Sequence, residues 1–89
     1  MTPDSVLVFP LNVRIRNYRG KILLGGYEHA FELSESATFM CRQIDGTRTV
    51  RDIGQVVAAE FDVDPQTATQ DATELFTQLV VADVVTVKE

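Results

Sequence analysis

The run from Tyr27 to Ile53, YEHAFELSESATFMCRQIDGTRTVRDI, decides how this chain is read. Tyr27, His29, Phe31 and Leu33 alternate with Glu28, Ala30 and Glu32, the period of a half-buried strand. Ser34 then stands where an N-cap belongs, and Glu35 adds negative charge to the first turn of a helix. Ala37, Met40, Cys41 and Ile44 fall on one face of that helix. Asp45-Gly46 stops it, with Gly46 suited to the left-handed position past its end. Thr49, with Asp52 three residues on, is a near relative of the capping box and opens a second helix. A strand left at a sheet edge beside small helices can take up an extended peptide as one more strand. The stretch therefore points to a binding module.

Towards the N-terminus, Asn12-Val13-Arg14-Ile15-Arg16-Asn17-Tyr18 alternates as a half-buried strand should, Arg19-Gly20 marks a turn, and Lys21-Ile22-Leu23-Leu24 reads as a second strand. Gly25-Gly26 is a further turn, because glycine tolerates the positive φ that tight hairpins need. The strand over 27–33 is then the third of an antiparallel meander and lies at its edge. Val6 to Leu11 is apolar, with Pro10 limiting any strand there to an edge. Residues 1–11 are read as an N-terminal extension and 12–89 as the domain proper.

Towards the C-terminus, Val50, Ile53, Val57 and Phe61 form the apolar stripe of the second helix. Gly54 within it costs about 1 kcal/mol relative to Ala, which suits close packing against another backbone. Asp64-Pro65, an N-cap acid followed by proline at N1, opens a third helix. Its inner stripe is read as Ala68, Ala72, Leu75 and Leu79, with Thr69, Phe76 and Val80 to one flank. Val84-Val85-Thr86-Val87 suits a short closing strand. The expected fold is α+β and winged helix-turn-helix-like, a three-stranded antiparallel sheet followed by three helices.

Length and composition narrow the function. The chain has 89 residues, 45% of them hydrophobic, enough for one globular domain. No apolar run approaches the roughly 20 residues of a membrane span. Asp4 stands where a secretory signal would carry basic residues, and Cys41 is the single cysteine, so the expected address is the cytoplasm. The net charge of −5 is uneven: residues 1–52 carry seven Lys/Arg against six Asp/Glu, and residues 53–89 carry only Lys88 against seven acids.

Candidate chemistry fails on spacing. One histidine, His29, and one cysteine, Cys41, on different elements do not make a metal site. Cys41 lies in an apolar stripe with no histidine base placed to activate it, which fits a structural thiol. Gly25-Gly26 is too short for a phosphate cradle and lacks the lysine of a P-loop. Asp71 and Glu74 read as a solvated face, not an acid/base pair. A winged-helix nucleic-acid-binding or transcription regulator is the rival reading, yet Asp64 to Asp83 contains no Lys or Arg with which to hold phosphates. The cations Arg14, Arg16, Arg19 and Lys21 gather on the first hairpin instead. No catalytic residue, metal or cofactor is expected.

Two segments carry a resemblance: Phe31-Glu32-Leu33-Ser34-Glu35-Ser36-Ala37, and Ile44-Asp45-Gly46-Thr47-Arg48-Thr49-Val50-Arg51-Asp52-Ile53. Together with Phe61-Asp62-Val63-Asp64 they resemble the PqqD family, over about residues 12–87. Its members act in pyrroloquinoline quinone biosynthesis, and their relatives are the recognition elements of ribosomally made peptide pathways. The resemblance implies a non-catalytic chaperone that binds the leader of a precursor peptide as an added strand. It then presents the leader to a modifying enzyme, such as a radical SAM protein or a leader protease/cyclase. It leaves open which pathway, precursor and enzyme are served.

On this reading the docking rail is Tyr27, Glu28, His29, Ala30, Phe31, Glu32 and Leu33, and the apolar wall is Thr69, Ala72, Phe76 and Val80. Phe76 suits either the core or the groove by its off-centre position, and Phe31, Leu33 and Leu75 suit plain core. Glu28 and Glu32 suit edge protection or contact with basic leader residues. An exposed edge can also pair two copies, so a monomer or weak dimer is expected.

Overall fold

A two-residue turn organises the first part of the chain. Arg19 and Gly20 both adopt left-handed backbone, with φ of 53° and 80°, the geometry that lets a tight hairpin follow the twist of its strands. It joins β2 (Arg14–Tyr18) to β3 (Lys21–Gly25), paired antiparallel with Tyr18 opposite Lys21 and Arg14 opposite Gly25. β3 pairs in turn with β4 (Ala30–Glu32), with Leu24 opposite Phe31. β1 (Leu7–Val8) precedes this sheet in the chain. The computed structural model describes residues 1–25 and 30–88. The expected rail positions Tyr27, Glu28 and His29 lie outside the described residues, and Ala30 and Phe31 are described by their backbone only.

Three helices follow, α1 (Glu35–Arg42), α2 (Val50–Phe61) and α3 (Pro65–Val81), and then β5 (Thr86–Val87). The architecture is the expected α+β one of a three-stranded antiparallel sheet followed by three helices. The second, two-stranded sheet joins β1 to β5 antiparallel.

Each helix begins where local chemistry dictates. The Ser34 hydroxyl accepts from the Ala37 amide at 3.2 Å. The Thr49 hydroxyl accepts from the Asp52 amide while the Asp52 carboxylate accepts from the Thr49 amide, both at 3.0 Å, completing the capping box. The Asp64 carboxylate accepts from the amides of Gln66 and Thr67, with Pro65 at N1. α1 ends earlier than expected, at a Gln43 cap. Gly46 is left-handed as read, φ 81°, but it serves the next turn. There the Asp45 carboxylate accepts from the amides of Thr47 and Arg48, each at 2.9 Å.

Of the two hairpin strands, β3 is the covered one. Ile22 and Leu24 of β3 are buried beneath the helices, whereas all five residues of β2 are exposed. The alternation in 12–18 thus marks a strand but not a half-buried one: α1 reaches β2 through the Arg42 guanidinium, which donates to the Asn17 side-chain oxygen at 3.1 Å, and all five residues stay exposed. Thr38 fastens α1 to β3: its buried hydroxyl accepts from the Ile22 amide at 3.0 Å.

α2 and α3 meet at Gly54, as the glycine suggests. A Cβ there would overlap the Thr69 hydroxyl and sit 2.7 Å from Thr69 Cα and 2.9 Å from its nitrogen. This close approach sets the rotation of α3. Its buried residues are Ala68, Ala72, Phe76 and Leu79, so Phe76 replaces Leu75 in the inner stripe. Leu75 is half-buried. Phe61, expected inside, is 38% exposed and packs edge-on against Phe39 with ring centroids 5.3 Å apart.

The N-terminal residues are knitted into this frame. The carbonyls of Ser5 and Pro3 accept from the amides of Val50 and Arg51, which the first turn of α2 cannot satisfy internally. Asp4 and Arg51 form a salt bridge. Leu7 is fully buried in the core. Among the described residues no helix is long and apolar enough to cross a membrane.

Candidate functional site

Among the described residues β4 pairs with β3 along one side only, so in the order β2-β3-β4 its other side is a sheet edge. An edge strand presents unpaired backbone N–H and C=O groups, a template for a further strand. At its end Leu33 is buried, with its amide bonded to the Ile22 carbonyl at 3.0 Å, and the chain turns at Ser34 into α1. Glu32 is exposed.

A groove of about 400 Å³ opens beside that turn. Ser34, Ser36, Ala37 and Met40 line it from α1 and its cap, Val57 and Phe61 from α2, Val63 from the following loop, and Asp71 and Leu75 from α3. Ala37, Met40 and Val57 form a floor that is nearly inaccessible, whereas Phe61 and Val63 stand as lips, 38% and 42% exposed. The interior is therefore apolar, and the polar groups at its rim are the two serine hydroxyls and the Asp71 carboxylate. Such a lining fits a bulky apolar side chain with a donor beside it.

The wall expected on α3 is differently placed. Ala72 and Phe76 are wholly buried and present no surface to a ligand in this structure. Thr69 packs on Gly54 and donates its hydroxyl to the Pro65 carbonyl at 2.8 Å. Val80 is half-buried against the core. Asp71 and Leu75 occupy the groove flank instead. The only sequence signal bearing on them is Gly54, which marks a close approach without naming Thr69 as its partner; in the structure that approach draws the Thr69 side of α3 inward and turns Leu75 outward. A larger opening of about 760 Å³ lies between α2 and α3, but it is lined by Gln55, Gln66, Gln70 and neighbours with no residue of β4 or α1.

The remaining chemistry is quiet. Burial pushes the Cys41 thiol up to about 12, so it stays protonated and sits in the core as a small apolar side chain. Hydrogen bonds from the Arg48 and Thr47 amides, then the Thr47 hydroxyl, hold the Asp45 carboxyl down at about 2. Among the described residues no group of His, Cys, Asp and Glu is clustered to hold a metal ion.

A strand edge followed, past the Ser34 cap, by an apolar groove, on a three-stranded sheet and three helices, defines a small α+β domain with the layout of a peptide-binding module. The chain belongs to the PqqD family: the family model for coenzyme PQQ synthesis protein D matches residues 13–85. It is similar to PqqA binding proteins of Xanthomonas, 36% identical over 78 residues to one from Xanthomonas oryzae pv. oryzae, covering 84% of each chain. One from Xanthomonas campestris pv. campestris is 34% identical over 79 residues, 85% of each chain. Among solved structures, the PqqD part of Methylobacterium extorquens PqqCD superposes with a TM-score of 0.82 at 28% identity, over 96% of this chain and 93% of that one. That domain is described as a functional, stand-alone recognition element for ribosomally synthesised and post-translationally modified peptides. TbiB1 in complex with the TbiA(β) leader peptide shares the fold, with a TM-score of 0.78 at 15% identity over 86% of this chain and 92% of that one.

Proposed function

We propose that this chain is a non-catalytic recognition protein for the leader of a ribosomally made precursor peptide. The leader adds as a strand to the open edge of β4, and its apolar side chains enter the groove between α1 and α3. Backbone pairing then supplies affinity, and the groove supplies selectivity. The observation that carries this reading is the β4 edge with an apolar groove beginning at the Ser34 cap that follows it, in a chain of the PqqD family. The bound leader is presented to a modifying enzyme, such as a radical SAM protein or a leader protease/cyclase. A precursor arises on the ribosome, so the encounter takes place in the cytoplasm.

Ala30, Phe31, Glu32 and Leu33 supply the described part of the rail in this scheme, and Tyr27, Glu28 and His29 would extend it. Leu75 and Met40 take the anchoring role first assigned to Phe76. Asp71 at the rim favours a leader with a lysine or arginine next to its apolar anchor, although an exposed pair of this kind adds only about 0.2–1 kcal/mol.

The test is an NMR titration with the leader from the chain's own gene neighbourhood. Amide shifts concentrated in residues 30–33, with methyl shifts at Leu75, Met40 and Val57, are expected. Shifts confined to the β2–β3 hairpin would overturn strand addition at β4.

A further inference from the structure

The hairpin of β2 and β3 has a surface that leader binding at β4 does not use. Residues 11–25 hold four cations and no carboxylate, in a chain whose net charge is −5. The remaining residues, with four Lys/Arg against thirteen Asp/Glu, carry −9. The register sorts this charge by face. Ile15 and Asn17 lie opposite Leu24 and Ile22, the buried residues of β3, and so share the helix side of the sheet. Arg14, Arg16 and Tyr18 lie opposite Gly25, Leu23 and Lys21, and so share the outer face, on which Glu32 of β4, opposite Leu23, is the one neighbouring carboxylate among the described strand residues. Every residue of β2 is exposed, Tyr18 by 47%. Among the described residues the salt bridges are Arg48–Asp45 and Arg51–Asp4, neither of them on this face.

We propose that this outer face, Arg14, Arg16, Tyr18, Lys21 and Leu23, is a second docking surface that receives an acidic patch on the enzyme that modifies the bound leader. The proposal rests on the leader-binding reading. Its occupant follows from charge complementarity: a local concentration of positive charge on an acidic domain orients an acidic partner onto that one side. Protein interfaces are enriched in arginine and tyrosine, the types interleaved here. A nucleic-acid backbone would use the cations but leave Tyr18 and Leu23 without a role, and the acidic remainder would repel an extended polyanion. Geometry permits joint occupancy. β2 and β4 are opposite edges of the sheet, separated by two strand spacings of about 4.8 Å each. Leader and enzyme can therefore be held at the same time.

The experiment compares the wild-type chain with R14E/R16E/K21E, and with R48E as a charge reversal off this face. The probes are the leader peptide, the enzyme that modifies that precursor, and a short DNA duplex. All three hairpin positions are exposed, so the fold should persist, and a thermal melt of each variant checks it; the double variant R16E/K21E serves if the triple one melts early. Enzyme affinity is expected to fall about tenfold or more in the hairpin variants at low salt, with the gap closing near about 0.5 M salt as charges are screened. R48E should bind enzyme as wild type does, and leader affinity should be unchanged throughout. Unchanged enzyme affinity in the hairpin variants overturns the proposal and leaves the cations as edge protection. Loss of duplex binding without loss of enzyme binding overturns it in favour of a nucleic-acid contact. Failure of the wild-type chain to bind leader is scored separately and removes the reading beneath the proposal.

Discussion

Replacing Gly54 by alanine places a methyl group where the backbone of α3 already lies. The new carbon would sit 2.7 Å from Thr69 Cα and 2.9 Å from its nitrogen, whereas carbon contacts are comfortable at about 3.5–4.0 Å. α3 must then retreat by about 1 Å or rotate, since the obstacle is main chain and not a flexible tip. A gap of about 0.5–1 Å forfeits a quarter to a half of each dispersion contact. The contacts at stake involve Ile53, Val57, Ala72 and Phe76, all 3% exposed or less. Overpacking typically costs about 1–3 kcal/mol, and the obstacle being backbone places this case at the upper end. Alanine returns about 1 kcal/mol through helix propensity. The expected net loss is about 2 kcal/mol, a fall in Tm of roughly 10 °C for a domain of this size. Urea and thermal unfolding followed by circular dichroism measure it. Adding Thr69→Ala should recover only part of the loss, because it removes the hydroxyl and leaves Cα and nitrogen in place. A Gly54→Ala chain as stable as wild type would refute the close approach and the rotation of α3 deduced from it.

Other outcomes follow from the same structure. Phe76→Ala should cost about 3–5 kcal/mol of stability as a buried aromatic truncation, whereas Leu75→Ala, half-buried against the core, should cost clearly less stability and weaken leader binding by about 1–2 kcal/mol; leader titrations beside thermal melts separate the two. Thr38→Val should destabilise by about 1–3 kcal/mol, since the Ile22 amide then lacks an acceptor, and faster exchange of that amide would report the cause. Asp45 has a folded pKa of about 2, below its ordinary value of 3.8, so its support of the 45–48 turn is complete above about pH 4 and is lost as pH falls through about 2; Thr47 and Arg48 amide shifts should titrate with that midpoint. Cys41, with its thiol pushed up to about 12, should resist alkylation at pH 8 until urea unfolds the chain, and rapid labelling of the folded protein would contradict its burial.

Several features were legible before any coordinates. The Ser34 cap, the Thr49–Asp52 capping box and the Asp64-Pro65 helix start all appear where the residues place them. The hairpin at Arg19-Gly20 does too. Gly54 announced a close neighbour without saying which. Less was legible where two elements had to be placed against each other. The stripe of α2 was right for Val50, Ile53 and Val57 but not for Phe61, which lies at the frayed end of the core and pairs with Phe39. The alternation in β2 implied a covered face that no helix supplies. The candidate site shared this limit: its strand is local, but its groove is assembled from three helices, so Ser36, Met40 and Asp71 were not predicted as part of it.

The amino-acid sequence by itself determined the order of strands and helices, their starting points, the absence of cations from α3, and membership of the PqqD family. Each of these depends on residues within about four positions of one another, or on residue type alone. Only the tertiary structure decided which side of α3 faces inward, making Phe76 core and Leu75 groove, and which face of the first hairpin is left bare. Those outcomes turn on rotations of a few tens of degrees about a helix axis and on which strand the helices cover. They are set by contact between segments far apart in the chain, here the meeting of Gly54 with Thr69, which no local pattern encodes.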